Sequence, residues 1–184
     1  MAKQKLDSFE YNVEIPEGVT VSLEGTLLKA KGPKGEAERD FKHPYVDLSI
    51  NENSIILKSK KGTKNEKKIM GSFRAHVRNI VNGVLEGHIY KLKVCSGHFP
   101  MNVTVSKEEM VVKNFLGEKY PRKLSLIKGV DVKLDGDLIT VESPDKEKAG
   151  QTAASIESLC RITNRDRRIF QDGIWLIQKG QKEI

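Results

Sequence analysis

The strongest constraint on the fold is that the chain carries one pattern twice. Val46-Asp47-Leu48-Ser49-Ile50-Asn51-Glu52-Asn53 is matched in character by Val130-Asp131-Val132-Lys133-Leu134-Asp135-Gly136-Asp137, an offset of 84 residues. The same offset aligns Val19-Thr20-Val21-Ser22 with Val103-Thr104-Val105-Ser106 and Lys29 with Lys113, and Gly35-Glu36 meets Gly117-Glu118 after a two-residue deletion. Further on, Gly71-Ser72-Phe73-Arg74-Ala75 faces Gly150-Gln151-Thr152-Ala153-Ala154. An ordered series of this kind indicates a duplicated unit.

Each copy reads as short strands followed by a helix. Val46, Leu48 and Ile50, and likewise Val130, Val132 and Leu134, alternate with polar residues at period two, as in a half-buried strand. Asp135-Gly136 before Leu138-Ile139-Thr140-Val141 predicts a type I′ hairpin, and Asn51-Glu52-Asn53 fills that place in the first copy. Ile69, Phe73, Val77 and Ile80 define one apolar helix face; Ala149, Ala153, Ile156 and Cys160 define another. Ser143-Pro144-Asp145 predicts a helix start with Pro in the first turn. The expected fold is α+β, two similar domains over 1–84 and 85–184, each a small, mostly antiparallel sheet packed with one helix. The second is expected to carry an added basic tail after its helix.

Charge supplies the functional argument. The chain has net charge +7, yet Lys58–Arg74 alone carries +6 and Cys160–Ile184 carries +3, so the remainder is slightly acidic. Two basic segments over an acidic remainder fit a polyanionic partner better than a uniformly solvated surface does. Aromatic residues at 6% are too few for a protein that stacks many single-stranded bases. Met1-Ala2-Lys3-Gln4-Lys5 leads into polar sequence without the apolar stretch of a secretory signal, and no apolar run reaches membrane-spanning length. Cys95 and Cys160, without framework spacing, fit a reducing cytoplasm.

Catalytic constellations are not evident. Cys95 and His98 form a Cys-x-x-His without the other ligands a zinc site needs. His43, His76 and His88 lack orienting acids, Asp135 and Asp137 belong to a hairpin tip, and no phosphate-loop or dinucleotide fingerprint occurs. No enzyme activity, metal, cofactor or small-molecule substrate is therefore expected.

The candidate RNA-binding residues fall in three groups. Gly32-Pro33-Lys34-Gly35 joins two strands, where glycines would let the backbone approach a phosphate while Lys31 and Lys34 add charge; an ordinary hairpin loop is the plain alternative. The loop resembles the clamp of KH domains, which however joins two helices. The first basic run contributes Lys60, Lys61 and Lys64, followed by Lys67, Arg74 and Arg78 as a stripe opposite the apolar helix face. The C-terminal run contributes Arg161, Arg165, Arg167, Arg168 and Lys179, guanidinium groups suited to forked contacts with phosphate and base edges. Phe170 and Trp175 beside them either stack on bases or pack the segment down, with packing favoured.

Four strings carry a family resemblance: Ala30-Lys31-Gly32-Pro33-Lys34-Gly35, Gly97-His98-Phe99-Pro100-Met101-Asn102-Val103, Lys113-Asn114-Phe115-Leu116-Gly117-Glu118-Lys119-Tyr120, and Asn164 through Ile174. In order over nearly the whole chain, they resemble the universal large-subunit ribosomal protein numbered six in bacteria and nine in eukaryotes. Phe170-Gln171-Asp172-Gly173-Ile174 stands in place of the bacterial ending and resembles archaeal or eukaryotic members, and the short loops favour the archaeal type. The resemblance implies two similar α+β domains and a structural, ribosome-bound role in the cytoplasm. It also implies binding to large-subunit (23S-type) rRNA near the sarcin–ricin region and stalk base, beside neighbouring ribosomal proteins and the translation-factor site. The rival reading is an extra-ribosomal KH-like RNA-binding module or RNA chaperone.

Overall fold

A computed structural model describes residues 8–51, 53–166, 168–180 and the backbone of 182 and 183. The chain divides into two compact units, the first ending at Gly87 and the second beginning at His88.

In the first unit β1 (Glu10–Glu14), β2 (Thr20–Glu24), β3 (Leu27–Gly32), β4 (Gly35–Asp40), β5 (Val46–Asn51) and β6 (Ser54–Ser59) precede α1 (Lys64–Glu86). They form two three-stranded antiparallel sheets, ordered β1-β6-β5 and β2-β3-β4. The second unit repeats this order with β7 (His88–Cys95), β8 (Asn102–Val105), β9 (Glu109–Lys113), β10 (Arg122–Ser125), β11 (Asp131–Asp135), β12 (Leu138–Ser143) and α2 (Lys146–Leu159). Its sheets run β7-β12-β11 and β8-β9-β10. The fold is thus the duplicated α+β architecture, with two small sheets per unit instead of one.

What lies beyond the repeat is β13 (Gly173–Lys179) with β14 (Lys182–Glu183). β13 pairs antiparallel along β7, from Gly173 opposite Cys95 to Lys179 opposite Tyr90. The basic segment after α2 is therefore no tail: it returns as a strand and widens the β7 sheet to five strands. Ile174, buried in the same core as Leu92 and Ile156, is the apolar anchor that brings it back.

Local sequence explains most boundaries. Asp145 caps α2, its carboxylate accepting from the Glu147 and Lys148 N–H groups, so Pro144 precedes the helix and does not occupy its first turn. Thr63 precedes α1, its hydroxyl donating to the Glu66 carboxylate three residues on. The β11–β12 loop is Gly136-Asp137, between the paired Asp135 and Leu138. Gly136 alone has positive φ there, at 58°, whereas a type I′ turn needs both loop residues so.

The helices bury different faces from the same register. Ala149, Ala153 and Ile156 of α2, and Cys160 just after it, are all buried, as their spacing predicts. On α1 the buried apolar side chains are Met70, Val77, Ile80, Val81 and Val84, while Ile69 and Phe73 are half-buried against them, a rotation of the expected face. The cause is that α1 meets β1, β3, β4 and β6, so its apolar surface spreads around the helix. Arg74 is consequently not on a solvent stripe. Its guanidinium lies 5.2 Å from the Tyr11 ring centroid and its Nε is buried without a hydrogen-bond partner.

Candidate nucleic-acid interface

The Gly32–Gly35 turn is built by packing inside the first unit. A Cβ on Gly32 would stand 2.5 Å from the Val84 carbonyl oxygen, so glycine is what lets β3 reach the end of α1. The Lys34 N–H donates to that same oxygen at 3.0 Å and is thereby committed to the helix terminus instead of pointing outward at a phosphate. Gly35, at φ 133°, needs the conformational range of glycine. Lys31 pairs with Glu36 at 2.5 Å, an exposed contact that holds its Nζ pKa up and lowers that of the carboxylate.

The first basic run follows β6. Lys60 pairs with Asp47 at 2.9 Å, and Lys61 Nζ sits 3.9 Å from the Tyr45 ring centroid. Lys64 is the exposed first residue of α1. Lys60 and Lys61 are thus each engaged by a neighbour of their own unit.

The second unit assembles something more organised from three distant segments, at 97–100, 114–122 and 161–175. Asp172 is buried, 2% exposed, and its carboxylate accepts from the Gly97 N–H at 2.5 Å, the His98 N–H at 2.9 Å and His98 Nδ1 at 2.6 Å. Burial pushes its pKa up, but the His98 backbone and ring bonds, with that of Gly97, outweigh it and hold the carboxyl below its usual range. His98, so fixed, stacks on Phe170 with centroids 4.7 Å apart, and the Arg165 guanidinium lies 4.9 Å from the same ring. The acid buried from one loop thus sets the posture of the other.

Beside it, Lys113–Tyr120 forms an uncommon turn. Asn114 (φ 59°) and Leu116 (φ 49°) both take left-handed conformations, at a cost on the order of 1 kcal/mol or more each. Phe115, buried in the core, and the Asn114 side chain, donating to the Pro100 carbonyl at 3.0 Å, hold the turn in place. Arg122 completes the clamp. It forks onto Glu118 at 2.6 and 2.8 Å, donates to the Leu159 carbonyl at the end of α2, and lies 4.2 Å from the Phe115 ring centroid. The Arg122 hydrogen bonds lower the Glu118 pKa. The clamp leaves Tyr120 85% exposed, and Phe99, over Gly117, is 44% exposed.

Of the C-terminal candidates, Arg165 and Arg168 join this assembly and Arg161 borders it just after α2. Arg168 is held by Asp166, whose carboxylate accepts from its Nη2 at 2.9 Å and its backbone N–H at 3.0 Å. That pairing, led by the side-chain bond, lowers the Asp166 pKa. Arg167 lies outside the described residues. Lys179 closes β13 about 20 Å along the strand from Gly173, taking ~3.3 Å per residue, and is not part of the group. Trp175 Nε1 donates to the Gln171 carbonyl at 3.1 Å, which fixes the indole to its own segment. Sequence reasoning missed Asp172, Asn114, Leu116 and Arg122 as site builders. His98 and Asp172 meet only through the fold, and no local spacing announces them.

The family model described as Ribosomal protein L6 matches residues 15–87 and 99–173, once in each unit. The chain belongs to the ribosomal protein L6 family. Proteins named large ribosomal subunit protein uL6 align over almost its full length. The one from Nanoarchaeum equitans is 45% identical over 98% of both chains. That from Methanobrevibacter smithii is 41% identical over 91% of this chain and 94% of the relative, and that from Aeropyrum pernix is 42% identical over 91% and 92%. These relatives are archaeal, in accord with the ending Phe170–Ile174. Both L6 family matches fall on duplicated units, and the second spans the Asn114–Tyr120 turn and the arginine segment through Gly173.

Proposed function

We propose that the chain is a structural constituent of the large ribosomal subunit. It binds large-subunit rRNA through the loop end of its second unit, near the sarcin–ricin region and the stalk base. There it supports the site where translation factors dock, beside neighbouring large-subunit proteins. The observation that carries this reading is the pre-organised group formed by Asp172, His98, Phe170 and Arg165 next to the clamped 114–122 turn. Rigid loops with exposed guanidinium groups lose little entropy on meeting a folded RNA, which is recognised by shape, phosphate and unpaired bases. Ribosome-bound residence in the cytoplasm follows from that role.

The test is sedimentation of the native chain, combined with hydroxyl-radical probing of the subunit. Co-sedimentation with the large subunit and protection confined to the sarcin–ricin and stalk-base segments are expected. Sedimentation as free protein that binds unrelated RNAs equally would instead favour an RNA chaperone acting off the ribosome.

A further inference from the structure

Trp175 stands between two hollows on the second unit. One, of about 720 Å³, lies between the 95–98 and 168–172 segments and is bordered by His98, Phe170 and Arg168. The other, of about 300 Å³, lies at the end of α2 and is bordered by Arg161 and Ile162. Each therefore pairs the same indole with a guanidinium from the basic segment. The larger hollow has the volume of a small-ligand site and contains flat side chains.

Its walls are fixed before any partner arrives. His98 cannot swing because Asp172 holds both its backbone N–H and its ring, and Phe170 is flanked by His98 and Arg165. The indole is tethered to the Gln171 carbonyl and lies within 3.4 Å of where a Gly173 Cβ would be. An apolar protein side chain would gain burial in such a hollow but nothing from Arg168 at its rim. A nucleotide uses both, since its base stacks on a ring and its phosphate meets guanidinium. Ile169, 65% exposed at the rim, adds apolar surface against which a base edge or sugar can lie.

We propose that the hollow between Trp175, His98 and Phe170 receives a single unpaired base projecting from an RNA helix, with Arg168 on its phosphate. This rests on the RNA-binding reading above and names the element recognised. Arg168 would release Asp166, an exposed pairing of small worth, to make that contact.

Trp175 is the one tryptophan in the sequence, so its emission reports on the hollow directly. The experiment compares two RNA hairpins of identical stem, one with a single bulged 2-aminopurine and one with that position paired. The full-length chain should bind the bulged hairpin ~10-fold more tightly, as stacking of one base allows, with quenching of both fluorophores. Trp175→Leu should abolish the preference and Trp175→Phe should keep most of it, each variant being checked for an unchanged melting temperature. Equal, salt-sensitive binding of both hairpins without quenching would overturn the proposal while leaving RNA binding intact. A preference that survives in a folded Trp175→Leu would place the base elsewhere and overturn it too. Binding of neither hairpin at low salt, if the chain also ignored a large-subunit RNA fragment, would take the RNA reading down with it.

Discussion

The two units share one topology but use it differently, and the comparison separates scaffold from function. Val13 lies opposite Ile55 and Tyr11 opposite Leu57 in the first; Leu92 lies opposite Ile139 and Tyr90 opposite Val141 in the second. Ile55, Leu57, Ile139 and Val141 are completely buried, so β6 and β12, the middle strands of the repeated threes, are the same structural element. The differences lie at the edges. In the second unit β7 gains β13 as a further neighbour, and the segment leading into β13 carries the arginines, Phe170 and Asp172. In the first unit the described residues show β1 paired to β6 alone, and the chain invests in a 23-residue α1 where α2 has 14. The duplicated frame holds the buried cores, and in the proposed function the insertion between α2 and β13 is the place that binds.

The largest effect should come from removing that insertion's charge. Changing Arg165, Arg167 and Arg168 together to Ala should weaken binding to a large-subunit RNA fragment on the order of 100-fold or more, because several charge-assisted contacts go at once. Melting should hardly change, since Arg165 and Arg168 are exposed. Binding at parental strength would remove the functional distinction between the units.

Next comes Asp172→Ala, which strands the Gly97 and His98 N–H groups and frees the His98 ring. A loss of about 3 kcal/mol in the stability of the second unit is expected in denaturant unfolding, with RNA binding weakened as well. The pH dependence has a definite sign. The folded-state pKa lies below the ordinary carboxylate value of 3.8, so the contribution is complete above that value and disappears as pH falls through the lower, folded one. Asp172→Asn should flatten the acid limb of stability against pH, and a limb of unchanged steepness would contradict the hydrogen-bond account.

Packing in the first unit gives the third effect. Gly32→Ala should destabilise that unit by about 1–3 kcal/mol, because the new methyl meets backbone at Val84. RNA affinity measured well below the melting point should stay near the parent's. A folded Gly32→Ala variant with poor RNA binding would return that turn to the interface.

The smallest and most discriminating effect sets matching helix positions against each other. Gly71 of α1 has open space where a Cβ would go, whereas a Cβ on Gly150 of α2 would stand 3.3 Å from the Tyr90 hydroxyl oxygen. Gly71→Ala should stabilise by roughly 0.5–1 kcal/mol through helix propensity. Gly150→Ala should gain less or lose, as Tyr90 must give way. Equal gains would mean that α2 does not rest on Tyr90 as described.

How much of this the sequence disclosed follows from where the signals were local. β5, β6, β11 and β12 were legible because they repeat at an offset of 84 with period-two alternation, and α2 because small residues recur on one face. β1 and β7 were not, since Tyr11 and Tyr90, their equivalent residues, stand 79 apart and share no run of identities. Arg74 was misplaced although its aligned counterpart, Ala153, lies on an apolar helix face and is buried: a guanidinium reads as a solvated charge until the fold lays it on Tyr11. The arginine segment was legible as charge, but its supporting parts were not. Asp172 reads as one more acid until the fold brings it to His98, 74 positions away. Leu116 reads as a hydrophobe until Phe115 and Arg122 hold its neighbours.

The most direct test of the central claim is the salt dependence of RNA binding, measured on the intact chain and on two charge variants. With about six phosphates contacted, log K against log salt should fall for the parent with a slope of roughly −4 to −5. The Arg165, Arg167 and Arg168 triple to Ala should flatten that slope by about 2 or more, while Lys60, Lys61 and Lys64 changed to Gln should shift it by less than about 1. A lysine variant that flattens the slope while the arginine variant runs parallel to the parent would put the interface on the first unit and contradict the account.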